Sequence, residues 1–185
     1  MVEADVVIVG AGAVGASLAW RLAPHRRVVL LEREEQPGYH STGRSAAHYT
    51  DAIGGAVVQA LSEETRRFIE SPPEGFSAVP LLVNRPVLLA IGHDTANNHF
   101  DEAALAHVMG RLLHRIDAET CLQHCPVLRR EKLSHGIFEP TAGDIDVHAI
   151  HGGYLAAARR AGASLVCDAE VLGMARKDGL WQVET

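Results

Sequence analysis

The apolar positions fall into two kinds of run. Val6-Val7-Ile8-Val9, inside Asp5–Gly10, is β-branched or aliphatic throughout, the pattern of a parallel strand covered on both faces. Val28-Val29-Leu30-Leu31 repeats that pattern and ends at Glu32. Between them Ala16–Ala23 predicts a helix that Pro24 and Arg26-Arg27 end. Strand, helix and strand within about thirty residues predict a βαβ unit. Farther on, Val57, Val58, Leu61, Thr65, Phe68 and Ile69 predict an amphipathic helix over 56–70, broken by Pro72-Pro73. Leu81–Ile91 predicts strand interrupted at Pro86, and 101–113 predicts helix with Leu105, Met109, Leu112 and Leu113 as its core face.

The last third is more finely punctuated. Asp117 is the expected N-cap of a short helix to Cys125, with Pro126 after it. Ser134–Glu139 predicts strand and Pro140–Asp144 a turn. Asp146–Arg160 predicts helix, with Gly162 ending it. Ala163–Cys167 and Glu170–Arg176 predict short strands. Lys177-Asp178-Gly179 predicts a hairpin turn, and 180–185 the returning strand. A lone hairpin is marginal and calls for a third strand or a helix.

Composition narrows the classes. The 185 residues are 47% hydrophobic and 22% charged, ordinary for a globular protein. A net charge of −6 argues against general nucleic-acid binding. No apolar run approaches the roughly 20 residues that span a bilayer. The acidic start Met1-Val2-Glu3-Ala4-Asp5 lacks the positive region of a signal peptide. Three cysteines, Cys121, Cys125 and Cys167, cannot all pair with one another, and the expectation is a cytoplasmic chain with free thiols.

The chemistry concentrates near the N-terminus. Gly10-Ala11-Gly12-Ala13-Val14-Gly15 is a G-x-G-x-x-G sequence between strand and helix. Gly10 permits the tight turn, Gly12 the approach of a pyrophosphate, and Gly15 close helix packing. The helix N-terminus offers amides and positive charge to phosphate. Glu32 stands where an acid would bind ribose hydroxyls. The motif alone leaves NAD and FAD open. Arg33 next to Glu32, and the small hydroxyl-rich stretch from Ser41 to His48, favour FAD.

Other clusters have plainer readings. Cys121, His124 and Cys125 share a helical face without a second cluster to complete a metal site, so no metal is expected. His107 and His114 read as surface residues, and Arg129-Arg130 with Lys132 as a solvated face. Asp146 reads as an N-cap rather than as a catalytic partner of Asp144.

The chain resembles the N-terminal part of the FAD-dependent D-amino-acid oxidase and dehydrogenase family, and within it most nearly D-arginine dehydrogenase. The likeness rests on 9–12, on 27–34 and above all on Gln36-Pro37-Gly38-Tyr39-His40-Ser41-Thr42-Gly43-Arg44-Ser45-Ala46-Ala47-His48-Tyr49-Thr50, with further likeness at 125–130, 144–146 and 153–155. It implies an α/β fold: a Rossmann-like FAD domain over 1–76 and 146–185, and an inserted, partly antiparallel, incomplete α+β substrate domain beginning over 77–145. It implies that Val14 with Gly10, Gly12 and Gly15, and Glu32 with Arg33, hold the ADP half of FAD. Ser41, Thr42, Gly43, Arg44, Ser45, Ala46 and Ala47 would wrap pyrophosphate and flavin, and Val171 would present its backbone to adenine. His48 would lie beside the flavin ring, close to the substrate amine.

The implied reaction transfers the Cα hydride of a D-amino acid to flavin N5. The imino acid is then hydrolysed to a 2-oxo acid and ammonia, and the electrons pass to an acceptor. Ile53 and Val87 would line the substrate pocket. The member that prefers cationic substrates has tyrosine and glutamate at these two positions, and a valine cannot pair with a guanidinium. An apolar D-amino acid is therefore at least as good a fit. The family's substrate-carboxylate arginine, an active-site tyrosine and a last flavin-contacting glycine segment match nothing before Thr185. The expectation is a fragment, inactive alone. A non-catalytic nucleotide-binding module and an NAD enzyme stay open beside it.

Overall fold

The computed structural model describes residues 2–50, 56–94 and 112–185. The chain forms two compact units: 1–46, 72–81 and 146–185 make the first, and 47–71 with 82–145 the second.

The first unit is built on a parallel sheet of β1 (Val6–Val9), β2 (Val28–Leu31) and a strand, Ser164–Val166, that pairs on the far side of β2. Val6 faces Val28, and Val29 faces Ser164. Helices α1 (Ala13–Leu22) and Val147–Arg160 pack together on one face. Their core joins Ile8, Ala16, Ala19, Val28, Leu30, Leu155 and Ala158. Among the described residues, only that face is covered. Val7 and Val9 alternate away from Ile8 and are exposed, unlike a strand buried on both sides. The segment 72–81 joins this unit through an aromatic cluster. Phe76 lies 5.7 Å from Trp20 and 5.1 Å from Tyr154, ring centre to ring centre. A Cβ on Gly153 would fall 2.5 Å from the Phe76 ring, so the helix needs glycine there.

Helix ends follow the sequence closely. Asp146 caps Val147–Arg160 by accepting the Ala149 N–H at 2.8 Å, and Gly162 follows at φ +98°. Asp178 and Gly179, both at positive φ, turn a hairpin in which Gly173–Lys177 pairs with Leu180–Glu184. The strand expected from Glu170 begins only at Gly173.

The second unit holds two antiparallel sheets. In one, β3 (His48–Tyr49) and β4 (Leu82–Asn84) flank Gly143–Ile145; in the other, β5 (Val87–Gly92) and β6 (His114–Asp117) flank Leu133–Glu139. We number the remaining strands β7 (Leu133–Glu139), β8 (Gly143–Ile145), β9 (Ser164–Val166), β10 (Gly173–Lys177) and β11 (Leu180–Glu184), and the helices α2 (Ala56–Glu70), α3 (Ala118–His124) and α4 (Val147–Arg160). Pro86 marks the point where the chain leaves one sheet for the other. The expected turn over 140–144 ends in a central strand, β8. Gly143 fits there because a Cβ would come 2.7 Å from the Val83 carbonyl oxygen. Asp117 caps α3 through the Thr120 N–H, which holds its carboxyl below the usual carboxylate range. Cys121 of α3 is buried and packs against Gly136.

Two expectations change here. The sequence grouped 47–71 with the first unit, but long-range bonds tie them to the second. Thr50 donates to buried Glu139 (2.5 Å) and Arg66 to the Thr141 carbonyl (2.9 Å), while Tyr49 OH bonds the Ser62 carbonyl within the segment (3.1 Å). The same bonds rotate α2. Its buried face runs through Gln59 and Ile69, and the expected stripe residues Val57, Val58 and Leu61 are exposed. The helix expected over 101–113, with His107, lies outside the described residues except for its end. Leu112 and Leu113 pack with Ile91 and Ile137. Among the described residues, no helix is long and apolar enough to cross a membrane.

Candidate functional site: a cleft at the glycine turn

The chain leaves β1 at Gly10, whose φ of +93° favours glycine. The Gly10 N–H continues the ladder to the Leu31 carbonyl at 2.7 Å. Gly15 is buried where any Cβ would run into the Gly10 carbonyl. The α1 N-terminus therefore sits directly on the end of the parallel sheet, with first-turn amides that have no acceptor within their own helix.

Side chains from distant segments complete this turn. Gly12 occupies the N-cap and supplies no side-chain cap. Thr42 supplies it, its Oγ1 accepting the Ala13 N–H at 3.0 Å. A Cβ on Gly12 would fall 2.9 Å from that oxygen. Ala11 is fully buried, and the Glu32 carboxylate accepts its N–H at 2.9 Å. Glu32 also accepts the Glu34 N–H at 3.2 Å. A carboxylate has about four acceptor sites, so two bonds leave capacity for a hydroxyl donor.

Around the turn lies a cleft of about 420 Å³, within the range typical of small-molecule sites. Gly10 and Gly12, Glu32 and Arg33, Ser41 and Thr42, and Val171 all line it. At its rim His40 donates to Glu34 at 2.7 Å, and that bond lowers the Glu34 pKa; Arg33 lies 3.0 Å from the same carboxylate. Arg44 stacks on Tyr39, 5.0 Å from the ring centre.

The other sequence-chosen residues fall elsewhere. Val14 is 83% exposed and, like Gly43, Arg44, Ser45 and Ala46, does not line the cleft. Ala47, at φ +53°, begins the second unit. His48 lies in β3, half-buried opposite Asp144 of β8, and neither ring nitrogen has a hydrogen-bond partner among the described residues. Its Nδ1 is 3.9 Å from Asp144 Oδ1, too long for a hydrogen bond, and Arg85 engages that oxygen at 2.6 Å. Val87 opens β5 opposite Glu139, and Ile53 lies outside the described residues.

The sequence missed Tyr39, His40, Ala169 and Glu170 as lining residues, and missed His151 altogether. His151 stands at a buried position of α4, where a histidine reads as one more core residue. The available signal was its phase on the buried helix face together with Gly38, 113 positions earlier, which no local pattern connects.

A glycine turn, an acid at the end of the second strand and a hydroxyl-rich loop meet at one cleft, the parts that a dinucleotide cradle requires. Gly10 sits at positive φ and Gly15 admits no Cβ against the Gly10 carbonyl, which keeps the turn tight. Known proteins point the same way. Human mitochondrial dimethylglycine dehydrogenase is 30% identical over 199 residues, covering 99% of this chain and 22% of its own length. The solved structure of NikD, an amino acid oxidase essential for nikkomycin biosynthesis, is 25% identical with a TM-score of 0.76, covering 97% of this chain and 47% of its own. L-alpha-glycerophosphate oxidase from Mycoplasma pneumoniae, solved with FAD bound, matches with a TM-score of 0.81 at 16% identity, over 99% of this chain and 50% of its own. The chain thus spans about a fifth of that curated relative and about half of these solved chains. The model of the family described as FAD dependent oxidoreductase matches residues 5–185, so this chain belongs to that family and FAD, not NAD, is its cofactor.

Proposed function

We propose that this chain works in an enzyme that oxidises D-amino acids to imino acids, which water converts to 2-oxo acids and ammonia. The observation that carries the reading is the cleft. It brings Gly10, Gly12, Glu32, Arg33, Ser41, Thr42 and Val171 together within one unit, and its hydroxyl-rich wall belongs to the 36–50 loop on which the family likeness most depends. Amino-acid chemistry in the names of two relatives supports the substrate class: one is a dimethylglycine dehydrogenase, the other an amino acid oxidase.

In this reading the first-turn amides, with Val14 among them, meet the pyrophosphate. Glu32 and Arg33 hold the adenine ribose, and the Val171 backbone meets the adenine. Ser41 and Thr42 would present hydroxyls, and 43–47 backbone, to the rest of the cofactor. FAD when bound supplies the two-electron acceptor. The protein orients the substrate Cα and sets the protonation state of its amine. His48 is the residue proposed to meet that amine. Its two ring nitrogens, without a partner among the described residues, can each accept or donate, as a group that exchanges a proton with an amine must.

Val87 and Ile53 are the proposed determinants of the side chain accepted. Neither carries charge, so the reading favours an apolar D-amino acid. In the full-length enzyme, kcat/KM for D-leucine or D-methionine should equal or exceed that for D-arginine. A strong preference for D-arginine would reject the pocket assignment.

A further inference from the structure

The dinucleotide reading gives no task to His151, a buried titratable side chain of the first unit. His151 belongs to α4 and is 8% exposed. Its Nε2 lies 2.7 Å from the Ala11 carbonyl oxygen, 140 positions earlier in the chain. A carbonyl only accepts, so Nε2 carries the proton and donates it. The edge of the ring bearing Nδ1 and Cε1 faces Gly38. A Cβ there would fall 2.7 Å from Cε1, and Gly38 has a φ of +83°. One imidazole thus touches both segments that build the cleft, the glycine turn and the loop carrying Ser41 and Thr42.

The geometry points to His151 as a positioning residue for FAD, an inference that rests on the dinucleotide reading. Both polar groups of Ala11 are held by side chains, its N–H by Glu32 and its C=O by His151. A trans peptide is planar, with its C=O and N–H pointing in opposite directions. Fixing the Ala11 carbonyl toward α4 therefore fixes the Gly12 N–H on the opposite side, and Gly12 lines the cleft. Ala11 is fully buried and its carbonyl has His151 as its donor, so shortening that side chain removes the bond. Without it the 11–12 peptide plane can rotate and carry the Gly12 amide away from a phosphate. The demand is for a donor at the Nε2 position. Glutamine reaches that position; asparagine, shorter by one carbon, does not.

The test is equilibrium titration of the 185-residue chain with FAD, ADP and adenosine, on wild type, His151→Asn and His151→Gln, well below each melting temperature. His151→Asn should weaken FAD and ADP by about tenfold, the value of one charge-assisted or buried hydrogen bond. Adenosine affinity should stay within about twofold, because no phosphate is at stake, and His151→Gln should recover most of the loss. Equal losses for ADP and adenosine, or equal behaviour of the asparagine and glutamine variants, would reduce His151 to a packing residue and overturn the inference. Unchanged ADP affinity in His151→Asn would overturn it too. A wild-type chain that binds none of the three ligands fails differently, removing the dinucleotide reading and this inference with it.

Discussion

The glycine turn of the first unit and the His48 strand of the second treat buried polar groups in opposite ways. At the turn, the Ala11 N–H and C=O and the Ala13 N–H each have a side-chain partner: Glu32, His151 and Thr42. In β3 the His48 ring is largely enclosed, yet among the described residues neither nitrogen has a partner. Groups that stay unsatisfied in a folded protein call for an explanation such as a ligand. A closed bonding pattern suits a cofactor that stays bound. An open one suits a substrate that comes and goes, supplies the missing partners and leaves.

The contrast is easiest to break at Gly15. Gly15→Val places a side chain against the Gly10 carbonyl, with no flexible neighbour to give way. Overpacking against backbone should cost about 3 kcal/mol and remove FAD binding, read by thermal melting and flavin retention. His48 should show the reverse pattern. His48→Phe removes two unsatisfied polar atoms and should leave the melting temperature unchanged or slightly raised. In the full-length enzyme it should lower kcat/KM by about 10²-fold, the usual worth of an acid–base group. If His48→Phe destabilised the fold as strongly as Gly15→Val, the difference between the two regions would vanish.

Smaller changes sharpen the picture. Thr42→Val is nearly isosteric and removes the acceptor for the Ala13 N–H. Loss of a distant cap should cost about 1 kcal/mol and weaken FAD more than it weakens the fold. The smallest effect belongs to Asp5, at the outer end of β1. Arg27 donates to it from backbone and guanidinium, which lowers its pKa to about 2 from 3.8. A depressed carboxyl stabilises the folded state above pH 3.8, and that contribution fades as pH falls toward 2. Asp5→Asn should therefore lower stability slightly and evenly above about pH 4, and the difference from wild type should vanish as pH falls toward 2, flattening the acid limb.

Much of the fold was readable in advance because it is local. The βαβ unit follows from two apolar runs around a glycine turn, and Asp117, Asp146 and Asp178-Gly179 act within four residues of themselves. What escaped was set by partners far away in sequence. α2 carries a clear apolar stripe, yet Tyr49 and Arg66 bond its polar side to the rest of its unit and leave Val57 and Leu61 exposed. Residues 47–50 read as part of a loop because β8, their pairing strand, begins at Gly143. In the site, the glycines and Glu32 were legible from a spaced motif. The Thr42 cap and the His151 bond were not, since neither sits at any fixed distance from what it holds.

The most direct test of the central claim is the visible spectrum of the purified full-length enzyme, recorded before and after anaerobic addition of an apolar D-amino acid. The expected result is flavin absorbance that D-methionine bleaches and L-methionine does not. A colourless protein, or a flavin that no D-amino acid reduces, would contradict it.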